Sequence, residues 1–243
     1  SMDEMKSIVP RAFLEKAATA FLDAGIHVIC DKPLAATAGQ AQAIADAAAR
    51  STARLFLTHN YCAHPMVREA RAIVAEGGIG DLRLVQAEFL QGWLADDTSS
   101  KQADWRTDPG QAGAGAIGDI GTHAWQLAAF VTGQVPDRLS ADLSSMVPGR
   151  RVDDDARIAL RYASGAKGGL WCSQVAVGQE GGLSLRVFGT EGALEWRLVD
   201  AERLVFTPKD GPAQLLTRAR DRSASSRTPT ASRRWRGKRA CPP

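Results

Sequence analysis

The sequence predicts a protein of two joined parts, an α/β unit built on a parallel sheet followed by an α+β unit with a predominantly antiparallel sheet covered by helices. Three observations carry this prediction. Helix and strand signals alternate up to about residue 60, runs of strand character follow one another at hairpin spacing after about residue 83, and one apolar helical stretch at 117–132 interrupts those runs.

The first element spans 10–24, where Phe13, Leu14, Ala17 and Phe21 recur at helical spacing. Pro10 suits the first turn and Gly25 the C-terminal cap. The apolar, largely β-branched run 26–30 predicts a buried strand of a parallel sheet. Thr37 and Gln40 form a capping-box pair that opens an alanine-rich helix to about Arg50, and 54–58 predicts a second strand. Two strands are too few for a stable sheet, so the sequence is expected to lack an N-terminal part of this unit. His64-Pro65 opens a helix through Glu76, ended by Gly77-Gly78, and 83–89 begins the second sheet. Further strands are predicted at 139–146, 156–162, 168–175, 183–188, 193–198 and 203–207. Ser164-Gly165 and Gly189-Thr190-Glu191-Gly192 supply hairpin signals. The helix at 117–132 should cover one face of this sheet, and an open apolar face predicts a homo-oligomer. The expected divisions are 1–60, 61–216 and a basic tail, 217–243.

Composition narrows the function classes. The chain has 243 residues, 44% hydrophobic and 23% charged, which is ordinary for a folded protein. No apolar run reaches the roughly 18 residues a membrane span needs, so a soluble cytoplasmic protein without a membrane partner is expected. Residues 217–243 hold eight Arg, one Lys and one Asp, a local +8 against +3 for the whole chain, so residues 1–216 carry −5. The tail lacks apolar periodicity and has only Trp235 as an aromatic, which predicts disorder rather than a nucleic-acid surface. Cys30, Cys62, Cys172 and Cys241 form no C-x-x-C pair and read as reduced, mostly buried thiols.

Asp31-Lys32-Pro33 directly follows the strand 26–30, and ligands of open parallel sheets bind at the carboxyl ends of strands. Lys32 there is either a solvated loop residue or an acid, base or electrostatic anchor. Asp119 and His123 stand four residues apart, so two helical positions would share a face and suit proton transfer. A helix cap beside a satisfied core histidine is the competing reading. Gly113-Ala114-Gly115-Ala116-Ile117-Gly118 matches G-x-G-x-x-G, but no strand precedes it, so a flexible substrate loop is expected rather than a phosphate cradle. His59, His64, Asp119 and His123 match no common metal spacing, and no metal is expected.

Taken together, the stretches 24–34, 58–61, 80–82, 105–106, 119–123 and 188–192 resemble the Gfo/Idh/MocA oxidoreductases over about residues 7–210. The resemblance implies a partial Rossmann-type parallel sheet in the first part. It implies an enzyme that uses NAD or NADP for hydride transfer to or from a sugar, cyclitol or related secondary alcohol. The lysine of the family's E-K-P motif falls on Lys32, and its D-x-G-x-H motif on Asp119 and His123. By that correspondence His123 is the acid or base, Lys32 polarises the reacting oxygen, and Asp119 orients substrate or His123. Asp31, Lys32, Pro33 and Asn60 would lie at the cofactor, and Trp105, Arg106 and His123 at the substrate. Asp31 replaces the family's usual glutamate, Cys62 falls where many members have arginine, and the family's N-terminal glycine-rich loop has no counterpart before Ser7. The competing expectation is an inactive remnant serving as a binding or assembly module.

Overall fold

The structure, a computed structural model, describes residues 11–96 and 100–218. Cys241, Trp235 and nearly all of the basic tail lie outside the described residues.

The first part runs α1 (Arg11–Asp23), β1 (Val28–Cys30), α2 (Ala38–Arg50) and β2 (Leu55–Leu57). Thr37 caps α2 as its sequence predicts, accepting from Gln40 N at 3.3 Å. β1 and β2 pair in parallel with Val28 opposite Leu55 and Cys30 opposite Leu57. Ala18, Leu22, Ile44, Ala47 and Ala53 form the small core of this part. Ile29 and Phe56 face each other in the ladder and are 76% and 53% exposed.

After a 3₁₀ turn (Asn60–Ala63) come α3 (Pro65–Ala75) and β3 (Leu82–Leu90). Two short helices that the sequence signals do not reveal follow, α4 (Lys101–Thr107) and α5 (Pro109–Ala112). The apolar stretch at 117–132 is not one α-helix. It begins as a π-turn (Ile117–Gly121), where Thr122 N donates to Ile117 O, and only then becomes α6 (Thr122–Thr132). β4 (Arg138–Ser144), β5 (Asp155–Arg161), β6 (Lys167–Ser173), β7 (Gly182–Gly189), β8 (Gly192–Arg197), β9 (Arg203–Pro208) and β10 (Gln214–Thr217) complete the sheet. β10 is absent from the sequence-based expectation, and it takes Thr217 out of the expected tail.

The eight strands order as β10-β9-β8-β7-β3-β6-β5-β4. All neighbours are antiparallel except β3 and β6, which run parallel because α6, β4 and β5 intervene between them. α6 packs on β3, β6 and β7, with α3 beside it over β8 and β9. Phe89, Leu127, Leu170, Leu183, Leu204 and Trp196 are among the largest buried side chains of this core. The opposite face is not the apolar surface expected of it. Arg186 pairs with Glu88 at 2.9 Å, and Arg157 lies over Trp171 at 4.0 Å, so charge is interleaved with Leu84 and Phe188.

Trp196 is 2% exposed and its indole N–H donates to Ala201 O at 3.1 Å. Replacing it with alanine should cost about 3 to 5 kcal/mol of unfolding free energy by urea denaturation, whereas Val199→Ala, at a position 76% exposed, should stay within about 0.5 kcal/mol.

Candidate functional site

β1 and β2 end side by side, and their carboxyl ends carry the residues that face the large sheet. Thr58 N donates to Cys30 O at 3.0 Å, and the Asp31 carboxylate accepts from Thr58 Oγ1 at 2.6 Å and from Lys32 N at 2.8 Å. These bonds lock the two strand ends together. The Thr58 hydroxyl is the main reason that Asp31 titrates below the usual carboxylate range. Lys32 is joined to Pro33 by a cis peptide.

From this edge Lys32 reaches across to the π-turn. Its ammonium donates to Asp119 O at 2.7 Å and to Asp119 Oδ1 at 2.8 Å. Asp119 Oδ2 accepts from Arg106 Nε of α4 at 2.9 Å and from Gln174 Nε2, just past β6, at 3.0 Å. Burial opposes the charge on Asp119, but Lys32 and then Arg106 outweigh it and hold the carboxyl below its ordinary range. The guanidinium of Arg106 sits over Trp105 at 4.1 Å and near Trp93 at 5.7 Å.

A cleft of about 450 Å³ opens here, lined by Asp31, Lys32, Thr58, Asn60, Tyr61, Phe89, Gln91, Trp93, Arg106, Asp119, Ile120 and His123. Of the residues singled out from sequence, Asp31, Lys32, Asn60, Arg106, Asp119 and His123 meet in it, while Pro33 and Trp105 do not line it. Its formal charges cancel, Asp31 and Asp119 against Lys32 and Arg106. Another groove, about 510 Å³ between α1 and α2, is lined by charged helix residues such as Glu15 and Arg50 and holds none of the singled-out residues.

His123 is 6% exposed and stands among rings: Tyr61 at 4.8 Å, His59 at 5.6 Å and Phe89 at 6.1 Å. Its Nδ1, like that of His59, is buried without a hydrogen-bonding partner, so Nε2 is the nitrogen left to the cleft. The carboxylates of Asp119 and Asp31 do favour the protonated ring, as the sequence spacing suggests for Asp119, but they are outweighed. Burial, Lys32 and His59 push His123 down to about 4, outweighing Asp119 and Asp31. The wider π-turn also spoils the four-residue alignment, and Asp119 turns to Lys32, Arg106 and Gln174 instead of His123.

The glycine run is not a flexible loop. Asp153 Oδ1 accepts from Gly115 N at 2.8 Å, Oδ2 from Ile117 N at 2.7 Å, and Asp153 O from Ala116 N at 2.8 Å. The amides that could cradle a phosphate are thus taken by the protein's own carboxylate. Tyr61, Gln91, Trp93 and Gln174 also belong to the site. Tyr61 could have been found by the strand-end rule that marks Lys32, since it lies just beyond β2. Gln91, Trp93 and Gln174 carry no local signal.

This arrangement can be set beside known proteins. A family model described as the GFO/IDH/MocA C-terminal domain matches residues 67–195, and one described as an oxidoreductase family with an NAD-binding Rossmann fold matches residues 8–59. The chain belongs to the Gfo/Idh/MocA family. Within that family, levoglucosan dehydrogenase of Pseudarthrobacter phenanthrenivorans is 30% identical over 208 residues, 76% of this chain and 53% of the relative. A crystal structure of an oxidoreductase from Sinorhizobium meliloti superimposes with a TM-score of 0.78 at 45% identity, covering 91% of this chain and 60% of that one. An inositol dehydrogenase homologue from Azotobacter vinelandii, complexed with NADH and myo-inositol, gives a TM-score of 0.79 at 30% identity, covering 87% and 55%. This Gfo/Idh/MocA chain spans about half the length of the curated relatives it matches.

The depressed His123 has a consequence for stability. The unfolded imidazole takes up its proton near pH 6.5 and the folded one only near 4, so the loss of stability due to His123 should develop as pH drops from about 6.5 to 4, below which Asp31 and Asp119 lose their own contributions. His123→Gln should flatten that slope in urea denaturation series, and an unchanged slope would show that the ring titrates alike in the folded and unfolded chain.

Proposed function

We propose that the cleft is the reaction centre of an NAD(P)-dependent dehydrogenase that moves a hydride between the nicotinamide and a sugar, cyclitol or related secondary alcohol. The observation that carries this reading is a base-form imidazole, His123, beside an ammonium, Lys32, that Asp119 holds at the carboxyl ends of two parallel strands. In this reading residues up to about 60 serve the cofactor side and residues 61–216 the substrate side. The residues present fit the reacting end of a nicotinamide. Asp31 and Asn60 stand at the strand ends and line the cleft together with Lys32. The run 113–118 does not fit the pyrophosphate, because Asp153 holds its amides.

A bound nicotinamide supplies the hydride acceptor, or donor, at its C4. His123 Nε2 takes the hydroxyl proton during oxidation and returns it during reduction. An imidazole that titrates near 4 is a weak base, so the hydroxyl must be made more acidic. Lys32 can do this. Two of its three donors are spent on Asp119, which leaves one for the reacting oxygen. The cancelling charges of the cleft suit a neutral polyol, and Trp93, 41% exposed, offers a flat face to a sugar or cyclitol ring. Levoglucosan and myo-inositol, named with the relatives, are of that class. Assembly into a homo-oligomer would use the open face of the large sheet, where Leu84 and Phe188 adjoin.

The test is a titration with NADH and NADPH followed by nicotinamide fluorescence, then a screen of polyols for turnover. Saturable binding, weakened in Lys32→Ala, is the expected result. His123→Asn should then lower kcat by roughly 10²- to 10⁴-fold while cofactor affinity holds. Wild-type binding that is indifferent to Lys32→Ala would reject the site.

A further inference from the structure

The glycine run 113–118 looks like an anion cradle, yet its anion is built in. The carboxylate of Asp153 bridges two amides, those of Gly115 and Ile117, and its carbonyl takes the amide between them. A Cβ on Gly115 would stand 1.8 Å from Asp153 O, so the backbones meet too closely for any other residue. Ile117 opens the π-turn, and Asp119 N closes back onto Gly115 O at 2.9 Å. The clamp therefore ends two residues before Asp119 and holds its backbone on both sides of residue 116.

The far end of the clamp is also fixed. Asp153 enters β5, where Asp155 pairs with Ser173, and Gln174 N donates to Asp154 O at 2.8 Å. Gln174, 3% exposed, is the residue that donates to Asp119 Oδ2. One junction between β5 and β6 thus grips the turn twice, at its backbone through Asp153 and at its carboxylate through Gln174.

We propose that Asp153 is a positioning residue for the reaction: it fixes the backbone at 115–117 so that Asp119 meets Lys32 and Arg106, and so that His123 presents Nε2 to the cleft. The proposal rests on the proton-transfer reading of His123. A carboxylate is needed because two converging N–H donors ask for two acceptor oxygens, and an amide supplies one.

The test uses NMR titration of the imidazole Hε1 signals of the four histidines in the full chain, comparing Asp153→Ala and Asp153→Asn with wild type. The groups that face His123 are Lys32 and Asp31 after β1, His59 and Tyr61 after β2, Asp119 in the turn and the apolar Phe89 of β3. A loosened turn admits water to the ring and so relieves burial, the largest cause of its lowered pKa, and the His123 inflection should rise by about one pH unit or more in both variants. His27 and His64 should keep theirs, and formate should restore His123 in Asp153→Ala by supplying the missing oxygens. With cofactor and an oxidisable polyol, the same variant should lose roughly tenfold or more in kcat with KM within about twofold. An unchanged His123 inflection in a folded variant overturns the proposal. So does a displacement of all four histidines together, or failure of both variants to fold, since each marks a purely structural role. Lack of turnover by the wild type would count against the dehydrogenase reading alone, because the NMR comparison needs no cofactor.

Discussion

The carboxylate of Asp119 joins the two parts of the protein. Lys32 approaches it from the end of the small parallel sheet, Arg106 from α4 and Gln174 from the edge of β6. Its side chain is 12% exposed and that of Lys32 20%, so each charge is largely withdrawn from water and depends on the others. Removing one member of such a group strands the rest in a poorly solvated place, which costs more than any surface ion pair returns. The cleft inherits its shape from this contact, because Lys32 can lie beside His123 only while Asp119 holds it.

Burial is the main reason that His123 is neutral, and the same contact limits what Asp119 can do against it. A histidine four residues from an aspartate on a regular helix would gain a charge partner. Here the π-turn aims Asp119 at two cations and a glutamine amide, so its charge is already compensated. His123 is left with rings and with Lys32, and burial then decides its protonation. The five-residue turn thus leaves burial and Lys32 to outweigh the carboxylates at His123.

Much of this was legible in the sequence where the signal is local. Thr37 with Gln40 marks the start of α2, Gly189 to Gly192 marks the hairpin between β7 and β8, and the strand before Asp31 marks the strand end from which Lys32 enters the cleft. The Gfo/Idh/MocA resemblance rests on such short motifs, and the family matches agree with it. What was not legible depends on distant partners. The glycine run reads as flexible until Asp153, 38 residues from Gly115, is seen to bind its amides. Gln174 lies 55 residues from Asp119, and nothing around it in sequence announces the contact. β10 escapes notice because its four residues are mostly exposed and merge into basic sequence.

A double-mutant cycle of Lys32→Met and Asp119→Asn, read as unfolding free energy in urea, tests the central contact most directly. If Asp119 holds Lys32 across the cleft as described, the two losses are strongly non-additive, with a coupling of about 1.5 to 3 kcal/mol. Additivity within about 0.5 kcal/mol would contradict the account, because it would mean that the two charges do not meet and that the cleft is organised some other way.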